Sequence, residues 1–221
     1  MNLKKAGKTI ADSPYIPVFK QWLLDNQNEN GFWNRPGDPD YSGWNGVMKM
    51  DSALSLAQIK LPRQDRMIRT VLKYQSTKDG SFTSAGGCTN HNVLHTLRQW
   101  SKRNDLLMWE EIFRSMEFFT ECQQRRWDPQ SGYFRPVPGF NQPPQFRATE
   151  LAGMATGNVT GYCRILLKPE NKQRLAKQHV PQGKKPITAA RIQRLLVQAK
   201  GIDALAREKI KEHLKENIKL K

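Results

Sequence analysis

The sequence predicts an all-α protein of about three helical hairpins followed by a basic helical extension. Three observations carry this. A glutamine-centred motif recurs at a fixed period. Apolar residues before each glutamine fall at helical spacing. After Leu167 the composition shifts to polar, proline-containing and then strongly basic sequence.

The three motif copies are "WLLDNQNENGFW" from Trp22, "TVLKYQSTKDGSF" from Thr70 and "FFTECQQRRWDPQSGYF" from Phe118. Their glutamines are Gln27, Gln75 and Gln123, separated by 48 and 48 residues. Each is followed by a glycine, Gly31, Gly80 and Gly132. Two residues after each glycine stands an aromatic, Trp33, Phe82 and Phe134. A fixed period of this length marks stacked supersecondary units. Phe19, Trp22 and Leu23, or Met67, Val71 and Tyr74, fit one face of a helix. The glycine supplies the left-handed geometry that ends helices. The glutamine amide can bond backbone groups left open at the helix end. The motif therefore reads as a structural clasp.

A second helix fills each interval. "NGVMKMDSALSLAQ", "TNHNVLHTLRQW" and "ATELAGMATGNVTGYCRILL" are the three inner helices. "KLPRQD" and "SKRNDL" link them to the next outer helix, with Pro62 as a stop. The repeat region spans residues 1–167. A polar linker with Pro169, Pro181, Gly183 and Pro186 covers 168–186. Residues 187–221 are read as two basic helices broken near Gly201. Ile192, Leu195 and Leu196 form one apolar stripe. Leu205 or Ala206, Ile210, Leu214 and Ile218 form the other, with Asp203 as a cap.

The Trp22–Leu23, Gln27, Gly31, Trp33 spacing resembles the glutamine–tryptophan repeat of terpenoid cyclases. Those belong to a wider α/α-toroid group with protein prenyltransferase β-subunits and several glycan lyases and hydrolases. The resemblance covers roughly Ser13 to Leu167. It implies inner helices around an axis, and a pocket at the loop-to-inner-helix junctions. Three hairpins are half of a six-hairpin ring, which leaves an open arc, half of a homodimeric ring, or a shortened relative. The acidic clusters of the cyclases are missing; "GDPD" at Gly37 to Asp40 is a turn-like loop. Fold alone does not carry function.

Charge adds a second line. The net charge is +16. Residues 167–221 hold 15 Lys/Arg and 5 Asp/Glu, most of the excess. Such a block suits nucleic acid or an acidic partner, or simply a solvated helix face. No apolar run reaches membrane-spanning length, and no secretory signal is seen at the start. Cys88, Cys122 and Cys163 are odd in number and widely spaced, which suits a reducing, cytoplasmic setting.

Candidate chemistry centres on "GGCTNHNVLH", Gly86 to His95. Cys88, His91 and His95 have a spacing that could hold zinc with one position open. Alternatively His91 acts as a general base. Buried structural roles compete with both. Asp51, His91 and Glu150 are the expected catalytic residues, if inner-helix starts converge. Arg147, Asn90 and Trp33 are the expected substrate contacts, with an Arg–His–Glu set suited to an acidic sugar. Two functional expectations result. One is a toroid-like pocket protein, an enzyme or enzyme remnant for a glycan or isoprenoid-like ligand. The other is a non-catalytic scaffold whose basic tail meets nucleic acid or an acidic partner.

Overall fold

A computed structural model describes residues 9–82, 87–103, 105–136 and 143–219. Among these residues the fold is all-α apart from one two-stranded hairpin. The chain divides into two compact units, Met1–Lys73 and Tyr74–Lys221. This division falls well before the composition shift at Leu167. Among the described residues no helix is long and apolar enough to cross a membrane.

The first unit holds α1 (Tyr15–Asp25), α2 (Asp40–Leu56) and α3 (Gln64–Lys73). Pro17 sits in the first turn of α1, where the lost N–H costs no helical bond. Two residues beyond α1, Gln27 donates through Nε2 to the carbonyls of Gly31 (2.8 Å) and Pro62 (2.9 Å). Thr70 Oγ1 donates to the Asn30 carbonyl at 2.7 Å, fixing the same loop against α3. Gly31 has φ +87°, and a Cβ there would lie 2.7 Å from the Met67 amide nitrogen. Only glycine satisfies both conditions. The buried ring of this loop is Phe32, edge-on to Trp44. Trp33 is half-buried instead, and its indole N–H donates to the Leu23 carbonyl at 2.9 Å.

The second unit begins with the same bonding. Gln75 lies two residues beyond the end of α3 in sequence. Its Nε2 donates to the carbonyls of Gly80 (3.3 Å) and Ser115 (3.0 Å). Helix α4 (Gly87–Arg103) and α5 (Trp109–Arg126) follow. The hairpin β1 (Trp127–Asp128) and β2 (Tyr133–Phe134) pairs Trp127 with Phe134. Then come α6 (Phe146–Leu166), α7 (Lys172–Ala176) and α8 (Ala189–Lys219). Gln123 does not sit beyond a helix end. It is buried within α5, which runs on to Arg126. The fully buried Arg126 guanidinium pairs with Asp79 Oδ2 at 3.2 Å and donates to the Asp79 carbonyl at 3.1 Å. That pairing favours continuing α5 past the glutamine, because the charge is desolvated and needs its partner.

Helix α6 is central to this unit and packs against α4, α5, α8 and β2. Ile192, Leu195, Leu196, Ala199, Ile202 and Ala206 are buried along one face of α8. A Cβ on Gly153 would stand 2.9 Å from the Ala206 methyl, so α6 and α8 approach closely there. The expected break at Gly201 is therefore absent, and a single helix runs from Ala189 to Lys219 where two are expected. Gly201 is exposed, and a Cβ added to it would meet nothing within 4 Å. Its helix penalty of about 1 kcal/mol is outweighed by burial on both sides. Ala206, not Leu205, carries the stripe onward. Asp203 lies mid-helix and bonds Arg207 Nε at 2.9 Å rather than capping. Leu214 is exposed, and the Ile218 side chain lies outside the described residues.

The 168–186 segment is pinned at several points. Arg174 Nη2 lies 2.6 Å from Asp105 Oδ1. The His179 amide donates to Glu110 at 3.0 Å. Gln178 exchanges bonds with the backbone of the fully buried Ile187. Arg191 forms a two-pronged pair with Glu117, one prong at 2.7 Å.

Candidate functional site

The hairpin sets the start of α6. The Gln145 amide donates to the Phe134 carbonyl at 3.0 Å. Thr149 Oγ1 accepts from the Phe134 amide at 2.8 Å and donates to the Gln145 carbonyl at 3.0 Å. Gln145 is the N-cap residue, in extended conformation, and its side chain makes no capping bond. The cap residue thus leaves the free N–H groups in the first turn of α6 unserved.

At the start of α4, Asn90 is 2% exposed. Its Oδ1 accepts from the Phe82 amide at 2.9 Å. Its Nδ2 has no hydrogen-bond partner among the described residues. Between these two helix starts lies a pocket of about 100 Å³. Asn90, Gln123, Gln145 and Arg147 give it polar edges. Phe119, Pro136, Leu151, Ala152 and Ala155 give it an apolar wall. Arg147 is the charged residue among those lining it.

Two of the expected substrate contacts, Asn90 and Arg147, thus share one pocket. Cys88 and Glu150 contact Arg147 but are not among the residues lining the pocket. Arg147 pairs with Glu150 through Nη1, and its Nη2 lies 3.6 Å from the exposed Cys88 Sγ. Glu150, then Cys88, holds the Arg147 guanidinium above its ordinary pKa.

His91 faces another way. Its Nδ1 lies 3.2 Å from Asn158 Nδ2, which also donates to the Met154 carbonyl at 3.2 Å. Burial pushes its pKa down; a backbone bond with Met154 opposes this and Arg98 reinforces it. The His91 and His95 rings are tilted, with centroids 6.2 Å apart. The expected zinc set of Cys88, His91 and His95 does not assemble. Among the described residues no group of three His, Cys, Asp or Glu side chains is placed to hold a metal ion. The reason is local. The Cys88 sulfur turns to Arg147, while His91 Nδ1 is taken by Asn158.

Asp51 belongs to α2 in the first unit, and its side chain lies outside the described residues. Trp33 is also in that unit. It lines a separate cleft of about 230 Å³ with Asn34, Arg35, Asp38 and Met50. On α8, Arg194, Lys200, Arg207, Lys211 and Lys215 are exposed, interleaved with Glu208, Glu212 and Glu216.

Sequence reasoning misses Gln145, Gln123 and the apolar wall as pocket elements. Gln123 reads there as a clasp. The wall has a legible signal: Leu151, Ala152 and Ala155 recur at helical spacing on one side of α6.

No family model, no curated protein and no solved structure matches this chain.

Proposed function

We propose that this chain is a toroid-like pocket protein, an enzyme or enzyme remnant, that binds a small ligand with a short apolar body between the starts of α4 and α6. The observation that carries this is the buried Asn90 amide nitrogen, without a hydrogen-bond partner among the described residues, at the edge of an apolar pocket. A buried donor left unmade costs about 1–3 kcal/mol, which a ligand acceptor recovers. The wall of Phe119, Leu151 and alanines favours an isoprenoid-like unit over a glycan, which needs many more polar contacts. The modest volume favours one short branched unit over a long chain. The hairpin-repeat reading is supported by Gln27 and Gln75, which make matching pairs of backbone bonds. It is supported also by positive φ at Gly31, Gly80 and Gly132.

The test is NMR titration of the full chain with 3-methylbutan-1-ol and, separately, with maltose. The alcohol should shift the methyl signals of Leu151, Ala152 and Ala155 saturably. Ala155→Phe, which fills the pocket, should remove the effect. Shifts from maltose alone, or from neither compound, would defeat the reading.

A further inference from the structure

We infer that the ligand of the α4–α6 pocket carries a single carboxylate, read jointly by Arg147, Asn90 and the uncapped start of α6. This rests on the proposed pocket function and adds the head-group chemistry.

Three features point to an anion. Asn90 Nδ2 is a buried donor with no partner among the described residues. Gln145 leaves the first turn of the 21-residue helix α6 without a side-chain cap, and Gln145, Arg147 and Ala148 from that turn line the pocket. Free N–H groups at a helix start favour negative charge. Arg147 adds a planar guanidinium with several donors, suited to a carboxylate.

The amount of positive charge selects the kind of anion. Arg147 is already paired with Glu150, so these two full charges cancel. What remains is the partial charge of the α6 start, roughly half a unit, together with the Arg147 donors that Glu150 does not take. The site therefore offers no more than about one positive charge. That matches a carboxylate. A diphosphate, with two or three negative charges, would meet the Glu150 carboxylate with no further cation among the lining residues. An alcohol would satisfy Asn90 but leave the helix start unmatched. The apolar wall then takes a short hydrocarbon tail.

The experiment compares 3-methylbutanoate, 3-methylbutan-1-ol and 3-methylbutyl diphosphate on the full chain at pH 7, by calorimetry and by the same methyl signals. The carboxylate should bind about tenfold or more tighter than either of the others. Arg147→Gln should lower carboxylate affinity about tenfold or more, a larger factor than any change in alcohol affinity. Arg147 is 61% exposed, so this variant should fold normally. Adding salt should weaken the carboxylate and not the alcohol. Equal binding of alcohol and carboxylate, or carboxylate binding insensitive to Arg147→Gln, overturns the carboxylate assignment but leaves the pocket function standing. Tighter binding of the diphosphate does the same. Binding of none of the three, with the Leu151 and Ala155 signals unmoved, overturns both.

Discussion

Gln27 reaches across 35 residues to donate to the Pro62 carbonyl, and Gln75 reaches 40 residues to the Ser115 carbonyl. In each case the same amide nitrogen also holds the nearby glycine carbonyl. One donor group thus ties a local turn to a distant segment, the turn before α3 in the first case and α5 in the second. Gln27→Ala or Gln75→Ala should lower stability by about 1–3 kcal/mol, since each removes the donor shared by two backbone carbonyls. Gln27→Glu should cost more, because a carboxylate cannot donate and would face two carbonyls. Urea denaturation checks both. An equal cost for Ala and Glu at position 27 would contradict this role for the donor.

The glycines of the three motifs should not respond alike to alanine. All have positive φ, so each pays a backbone cost of about 1–2 kcal/mol. Gly31 adds a clash with Met67 backbone, and Gly80 a tight approach of 3.1 Å to Cys122. Gly132 meets only the flexible end of Lys209 at 3.4 Å. Gly31→Ala should therefore be the most damaging and Gly132→Ala the least, with a gap of about 1–3 kcal/mol from overpacking. Thermal or urea unfolding of the three variants gives the order.

The all-α class and the helix positions were legible because apolar spacing and turn chemistry are local. The motif register was less so. Trp33 aligns with Phe82 and Phe134 when counted from the glycine, yet the fully buried rings are Phe32, Phe82 and Phe134. The interval from glutamine to glycine is one residue shorter in the first copy, and there the buried ring follows the glycine directly. In the third copy the interval is longer, and the extra residues extend α5 and build the hairpin. Asn90 and Arg147 stood out as polar residues at helix starts. Their pocket did not, because its wall exists only once α6 packs against α4 and α5. His91 and Cys88 are close in sequence, but their partners Asn158 and Arg147 come from different turns of α6. Sequence spacing holds no record of that divergence.

The uninterrupted α8 makes a stabilising substitution available. Gly201 is mid-helix, exposed and open, and its φ is not positive. Gly201→Ala should raise stability by about 0.5–1 kcal/mol, by lowering backbone entropy in the unfolded chain. Gly153→Leu should do the reverse, since the Ala206 methyl already lies 2.9 Å from the added carbon. Its cost should reach about 1–3 kcal/mol or more. Urea midpoints test the pair. Destabilisation by Gly201→Ala would mean that the helix needs a bend there.

Acid should weaken the second unit through His91. Burial holds its pKa below the ordinary value of 6.5, so the folded state prefers the neutral ring. The groups facing it are Asn158, the Met154 backbone, Arg98 and His95. In the unfolded chain the ring takes up a proton as pH falls through 6.5. In the folded chain it resists until the lower, native pKa. Between those two values the unfolded state binds more protons, so stability is complete above pH 6.5 and declines below it. The slope from one group is at most about 1.4 kcal/mol per pH unit. Urea unfolding from about pH 8 to about pH 5, a range that brackets the histidine titration, should show this decline. His91→Gln keeps a polar side chain for Asn158 but cannot titrate, so its curve should be flatter over the same range. An unchanged slope in that variant would show that His91 is not the source of the acid sensitivity.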